Sequence, residues 1–304
     1  QFANDRAALR ARWRELLAPL RAGAAATDVS RPLPTDGAVE PQVANLLDYR
    51  WVANAALFEA RALRHEARGL EAVRCTLDAA TLAADLLRDG PLVDQMVGCA
   101  ILAIGTSEAW PEAALAGLDR AALDELADGL ARLDHSSPTT LDDRGERLFL
   151  AWHLAHATLT PGTTEWLPPA TSAWRFGFST RWMLADAFLL QTARSRRLAA
   201  TTDAPWAART AALEGELAAA TASGNPLVAT CLPNLGAAEG SWREQLARIR
   251  MLRLAVELHR GVEPPALIDP IGGGPIAVTE VDGGVELRCA PYREPRRTQR
   301  VVVR

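Results

Sequence analysis

The sequence predicts a mainly α protein: an irregular domain of about nine helices followed by a small C-terminal β-hairpin appendage. Three observations carry this. Up to about residue 260, apolar side chains recur at three- and four-residue intervals in segments separated by Pro and Gly. After Arg260 the texture changes to Gly, Pro and β-branched residues. The 304 residues are 49% hydrophobic and 23% charged, enough to bury a core and unlike a disordered or collagen-like chain. The expected division is a helical domain over 1–262 and a β appendage over 263–304 packed on the helices.

The first helix is expected near 4–22, where Leu9, Trp13, Leu16 and Leu20 form one stripe and Arg occupies the other faces. The stretch 30–42 is rich in Pro, Asp and Gly and reads as loop. Residues 43–67 and 70–88 read as a helical hairpin broken at Gly69, with small residues along the seam. That seam is like a tetratricopeptide hairpin, but no second copy follows at a 34-residue period. Further helices are expected at 91–106, where Pro91 suits a first turn, and at 111–118. Asp119 is placed to N-cap a helix over 120–133, and Thr139 with Asp142 gives a weak capping signal for 140–158. Segments 171–199, 204–222 and 239–260 complete the set. The connection SGNPLVATCLPNLG is apolar enough to be expected against the core. In the tail, PIAVTEV and GVELRCA flank Asp282-Gly283, a hairpin turn signal, and the Val301–Val303 run offers a third short strand. Ile271 and Val278 are the expected anchors to the helices.

Every one of the 33 basic residues is Arg. GC-rich coding is the expected reason, because residues with AT-rich codons are scarce throughout; selection against an amine that could be modified or cross-linked is the alternative. The chemical consequence is independent of the cause. Without Lys there is no Schiff-base lysine and no P-loop lysine, which excludes pyridoxal-phosphate enzymes, Walker-type nucleotide hydrolases and lysine-dependent kinases. The net charge of −4 gives no global case for nucleic-acid binding. It is unevenly spread: residues 288–304 hold six Arg and one Glu, a balance of +5 that leaves −9 on the rest. No apolar run reaches the length of a membrane span. The chain starts at Gln1, and removal of a signal peptide or membrane anchor is the expected reason. Cys75, Cys99, Cys231 and Cys289 form no CxxC pair, so zinc ribbons and thioredoxin-type sites are unsupported. If any disulfide forms, Cys231 with Cys289 is the expected one.

The residues from about 225 onward carry a resemblance. Asn225-Pro226-Leu227, the helix ARIRMLRLAVELHRG, Asp269-Pro270, Gly274-Pro275 and Asp282-Gly283 leading to Glu286-Leu287 form one tail pattern. It resembles a group of uncharacterised exported or membrane-anchored proteins of GC-rich bacteria that end in a "DP..G.P" segment and a short hairpin. The tail is also similar to the C-terminal end of type II secretion pseudopilins. The likeness covers about 80 residues. Val262-Glu263-Pro264-Pro265 replaces the group's tyrosine-proline segment, and an Arg-rich end replaces its closing glycine and aspartates. The pseudopilin N-terminal hydrophobic helix is absent from these residues. The resemblance implies an extracytoplasmic location and a helix-plus-hairpin tail, and it carries no activity.

Three constellations are candidates for function. Glu146, His153 and His156, with Asp143, lie on one expected helix and have the chemistry of zinc or iron ligands. The spacing is not HExxH, so further ligands must come from elsewhere, with His65, Glu66, Glu214 and Glu216 as candidates. Packing around Trp152 is the simpler reading, and neither metal nor cofactor is expected. Trp174, Phe178 and Trp182 repeat every four residues beside Arg175 and Arg181, a stripe suited to stacking on a planar ligand if it is not core. Arg293, Arg296, Arg297, Arg300 and Arg304 form a basic tail. It reads either as a charge-guarded edge strand or as a docking surface for lipid headgroups, an acidic protein face or a polyanionic glycan. No GxSxG elbow is present, Ser136-Ser137 beside His135 reads as a capping loop, and Gly272–Gly274 precede a strand rather than open a dinucleotide-binding helix. The functional expectation is a non-catalytic scaffold or interaction module of a bacterial envelope or secretion-related assembly, with another envelope protein or an anionic surface as partner and no nucleic acid. The alternative is an extracytoplasmic hydrolase, metal-dependent or glycan-acting, with its site among the helices.

Overall fold

The computed structural model describes residues 2–26, 46–88, 91–108, 115–138, 140–141, 146, 178–225, 228, 235–291 and 299–303. Among them are eight helices: α1 (Phe2–Ala24), α2 (Leu46–His65), α3 (Gly69–Leu87), α4 (Leu92–Glu108), α5 (Arg120–Ser136), α6 (Phe178–Ala199), α7 (Trp206–Ala222) and α8 (Leu235–Arg260). Strands β1 (Ala277–Val281), β2 (Gly284–Cys289) and β3 (Gln299–Val303) follow. The protein is therefore mostly helical with a small C-terminal antiparallel sheet. Apart from Thr140, Leu141 and Glu146, the expected helix at 140–158 falls outside the described residues, as does most of that at 111–118.

The chain divides into two compact units. The first holds residues 1–88, 93–139 and 240–304; the second holds 89–92 and 140–239. By this division the C-terminal sheet belongs with α1, α2, α3, α5 and most of α4 and α8.

In the first unit, α2 and α3 form the expected hairpin. Ala60 and Leu63 pack against Ala72 and Cys75, and these small side chains let the two helices approach closely. α4 also comes close to α3 at one point. A Cβ added at Gly98 would lie 2.6 Å from the carbonyl oxygen of Ala83, so only Gly fits there. α1 docks through buried Leu17 and Leu20 and through Trp13, which meets Phe58 edge-on with centroids 4.7 Å apart. The expected stripe is thus confirmed at Trp13 and Leu20, while the side chains of Leu9 and Leu16 lie outside the described residues. Asp119 caps α5 by accepting a hydrogen bond from the Ala122 backbone N–H at 2.8 Å. α8 is the central element: Trp242, Leu246, Ile249, Met251, Ala255 and Val256 are all essentially inaccessible. A helix buried around most of its girth needs apolar side chains on several faces, and each large one contributes roughly 1.5–3 kcal/mol on burial.

The hairpin is joined by the third strand into one sheet of order β1-β2-β3. Val278 is paired across from Leu287, and Leu287 from Val301. Leu287 is fully buried whereas Val278 is 50% exposed. The expected anchor at Val278 is therefore corrected: β1 overhangs the buried part of the sheet, and Ile276, Leu287 and Cys289 anchor it. Ile271 is half-buried.

In the second unit, Ala187, Ala220 and Val228 form a small core with Met183 and Leu190 against it. The apolar connection after α7 tucks inward as expected at Asn225 and Val228, both buried. The Asn225 amide donates to the Met183 carbonyl and to the Asp186 carboxylate, each at 3.0 Å.

α2 and α8 end in the same left-handed hydrogen-bonded cap. At α8, Gly261 takes φ 69°, its N–H bonds to Leu258 and that of Val262 to Glu257. At α2, Ala67 takes φ 58°, with its N–H on Arg64 and that of Arg68 on Leu63. An L side chain in this region costs about 1 kcal/mol, which Gly avoids. Ala67→Gly is therefore expected to raise unfolding stability in urea by about 0.5–1 kcal/mol, and Gly261→Ala to lower it by about 1 kcal/mol. Equal stabilities for Ala67→Gly and the parent would contradict the cap assignment.

Candidate functional site

Among the described residues, many charged side chains bridge elements of the fold. Glu59 is 2% exposed and lies between Arg10, at 2.8 Å, and Arg14, at 3.0 Å, joining α1 to α2. Burial pushes its carboxyl up, but the hydrogen bonds from Arg10 and Arg14 outweigh that and hold it below the ordinary carboxylate range. Arg10 also pairs with Glu66, and Arg21 reaches the Cys75 thiol at 3.3 Å and Asp78 at 3.6 Å. Burial nevertheless raises the Cys75 thiol, and it pushes Cys99 and Cys289 up to about 12. These thiols stay protonated and unreactive at neutral pH. Cys289 is a free, buried thiol, so the expected bond to Cys231 is not made; Cys231 itself lies outside the described residues.

The tail motif has a clear structural role. Asp269 is buried, its Oδ1 accepts from the Ile271 N–H at 2.8 Å, and its Oδ2 accepts from the Ala290 N–H at 2.7 Å. The Asp269 backbone N–H meets the Gly274 carbonyl at 2.7 Å, and a Cβ at Gly272 would sit 2.7 Å from Oδ2. The "DP..G.P" residues thus form a buckle whose aspartate fastens the turn to the end of β2. From α8, Arg243 donates to the Pro270 carbonyl at 2.6 Å and Arg250 to the Ile268 carbonyl at 2.7 Å. Arg250 and Arg253 together hold Asp134 at the end of α5, at 2.8 and 3.0 Å. Trp242 donates its indole N–H to the Pro138 carbonyl at 2.8 Å. Sequence reasoning missed these arginines. Arg243, Arg250 and Arg253 repeat at seven and three on a helix otherwise apolar on several faces, and that spacing inside an apolar context was the available signal.

The expected site residues are not gathered in one place. Glu146 accepts from the Leu92 N–H at 2.8 Å, and so caps the first turn of α4 in the second unit. Asp143, His153, His156, Trp174 and Arg175 lie outside the described residues. His65 and Glu214 are exposed, Glu66 is paired with Arg10 and Arg68, and Glu216 is paired with Arg197. Among the described residues, no three His, Cys, Asp or Glu side chains are placed to share a metal ion. Phe178 and Arg181 open α6 by their backbone, and their side chains lie outside the description. Trp182, the described end of the aromatic stripe, is 61% exposed, followed on α6 by Phe188 at 42% and Leu189 at 65%. Two turns separate Trp182 from Leu189, so they share a face. Arg300 lies in β3, directly across from Arg288; Arg293, Arg296, Arg297 and Arg304 lie outside the described residues. A cleft between α6 and α7, lined by Arg194, Arg197, Glu216 and Ser223, holds about 50 Å³, far below the roughly 300 Å³ of an ordinary small-molecule pocket.

Compared with family models, with curated proteins and with solved structures, the chain finds no match. Among the described residues no helix is long and apolar enough to cross a membrane.

Replacing Asp269 tests the buckle. Asp269→Ala leaves two backbone N–H groups without their carboxylate and is expected to cost about 2–4 kcal/mol in urea unfolding, with Asn intermediate because it keeps one acceptor. A loss under about 0.5 kcal/mol for Ala would show that water replaces both bonds.

Proposed function

We propose that the protein is a non-catalytic interaction module, a scaffold component of an assembly at a bacterial cell envelope, outside the cytoplasm. The supporting observation is the outward face of α6. Trp182 and Leu189 leave more than half of their surface in water, with Phe188 at their border. Large apolar side chains grouped in this way gain roughly 25 cal/mol for each Å² of apolar surface that a partner covers. Trp in particular is enriched among residues that dominate interface energies. On the other unit, Leu47 and Trp51 repeat the arrangement one turn apart on α2, at 66% and 71% exposure. The envelope location rests on the tail resemblance, and the partner is another envelope protein.

Trp182→Ser with Leu189→Ser is the test. Both side chains are exposed, so the double variant is expected to unfold within about 1 kcal/mol of the parent. It is also expected to lose the large complex that the parent forms in a solubilised envelope fraction, read by native sizing. Equal complex size for parent and variant would contradict the α6 interface.

A further inference from the structure

The outer edge of β1 is covered at its start and then bare. Residues 267–269 run antiparallel beside 274–276, with Ile268 bridged to Pro275. The Asp269 N–H donates to the Gly274 carbonyl at 2.7 Å and the Ile276 N–H to the Leu267 carbonyl at 2.9 Å. In a strand, the backbone groups of alternate residues point to the same side. The bond from Ile276 therefore fixes which residues of β1 turn their N–H and C=O away from β2: Val278 and Glu280. Among the described residues β2 is the only strand beside β1, and these outward groups have no backbone partner. Continued backward in the same register, the covering segment would set Pro265 beside Val278. Proline has no N–H to give to a ladder, and the chain's own cover ends at Ile276. Ala277, Val278, Thr279 and Glu280 are all exposed.

The bare edge is acidic. Glu280 and Asp282 are exposed, and among the described residues neither carboxylate makes an ion pair. Residues 261–287 contain no basic residue, and Arg288 on β2 is engaged by the buried Glu286 at 2.8 Å. A second β1 laid on this edge would bring the same acids together, so the edge selects against its own copy and for a basic strand. The edge also has an apolar position. Val278 lies across from Leu287 on one face of the sheet, where Leu287 is fully buried and Val278 half exposed. An apolar side chain placed beside Val278 would extend that covered region.

We propose that the bare edge of β1 takes an extended basic segment of a partner protein as a fourth, antiparallel strand of the sheet. The outward N–H and C=O groups of Val278 and Glu280 supply the backbone hydrogen bonds, and the side chains set the sequence that fits. A basic residue lies beside Glu280 and, two residues further along the partner, an apolar one lies beside Val278. A second basic residue before these meets Asp282. The inference goes beyond the α6 reading, uses a surface in the other unit and does not depend on it.

The test titrates the full chain into a fluorescent, end-blocked peptide, Arg-Thr-Arg-Thr-Val-Thr, and reads anisotropy at low salt. The parent is expected to bind it about tenfold or more tightly than Glu-Thr-Glu-Thr-Val-Thr. Methylating the backbone nitrogens of the second Arg and of the Val removes the donors to Glu280 and Val278 without changing charge, and is expected to weaken binding about tenfold. Val278→Pro removes an outward N–H that the β1–β2 ladder does not use, so it is expected to keep the fold by circular dichroism and lose the peptide. Glu280→Arg is expected to abolish the preference for the basic peptide, and it decides the matter if Val278→Pro does not fold. Equal binding of basic and acidic peptides, equal binding of the methylated peptide, a folded Val278→Pro chain that binds like the parent, or an unchanged preference in Glu280→Arg would each overturn the proposal. Trp182→Ser with Leu189→Ser is expected to bind the peptide as the parent does. A parent that forms its envelope complex but binds no peptide would overturn this inference alone; one that binds the peptide but forms no complex would overturn the α6 reading alone.

Discussion

The first unit depends on how α8 keeps arginines inside an apolar environment. The helix is buried on most of its girth, yet Arg243 is 3% exposed and Arg250 and Arg253 are mostly covered. A buried charge without partners costs several kcal/mol, so each guanidinium must find acceptors where the chain can supply them. Asp134 supplies a carboxylate from the end of α5, and Ile268 and Pro270 supply carbonyls from the tail. The C-terminal segment is therefore fixed in place because it completes the coordination of the helix. Asp269 then carries that order from the buckle to β2 through Ala290.

The same solution recurs elsewhere. Arg209 in the second unit is buried against Glu239 at 2.9 Å and also donates to the Leu198 carbonyl and the Thr201 hydroxyl. Glu59 is buried between two arginines of α1. In each case one planar guanidinium serves two or more acceptors, or two of them enclose one carboxylate. A chain with no lysine has this fork as its only permanent cationic donor at these positions, and its geometry suits bridging between elements. Among the described residues, many ionised groups are spent on the architecture, while large apolar side chains on α2 and α6 face solvent.

Local chemistry was legible in the sequence. The Asp119 cap, the end of α8 at Arg260, the small-residue hairpin and the Asp282-Gly283 turn each follow from local residue chemistry. What could not be read has a common cause, dependence on partners distant in the chain. Ala67 takes a conformation usually given to Gly because the following helix returns onto the hairpin seam, a tertiary demand that overrides its propensity. Val278 carries the alternation of a buried position but lies on an overhanging strand, and only packing reveals where the cover ends. Glu146 looked like a ligand and caps a helix begun more than fifty residues earlier. Of the aromatic stripe, the exposure of Trp182 is visible only in the fold, since the same spacing serves a core equally well.

Arg250→Lys addresses the central claim most directly. Lysine keeps the charge and most of the apolar stem but presents a single ammonium, which cannot bridge Asp134 and the Ile268 carbonyl in the fork geometry. Urea unfolding of this variant, with backbone hydrogen exchange across residues 267–290, is the measurement. The account predicts a loss of about 1.5–3 kcal/mol and faster exchange at the Ile276 and Ala290 amides. Parent-like stability with unchanged exchange in the tail would contradict the view that the arginines of α8 hold it.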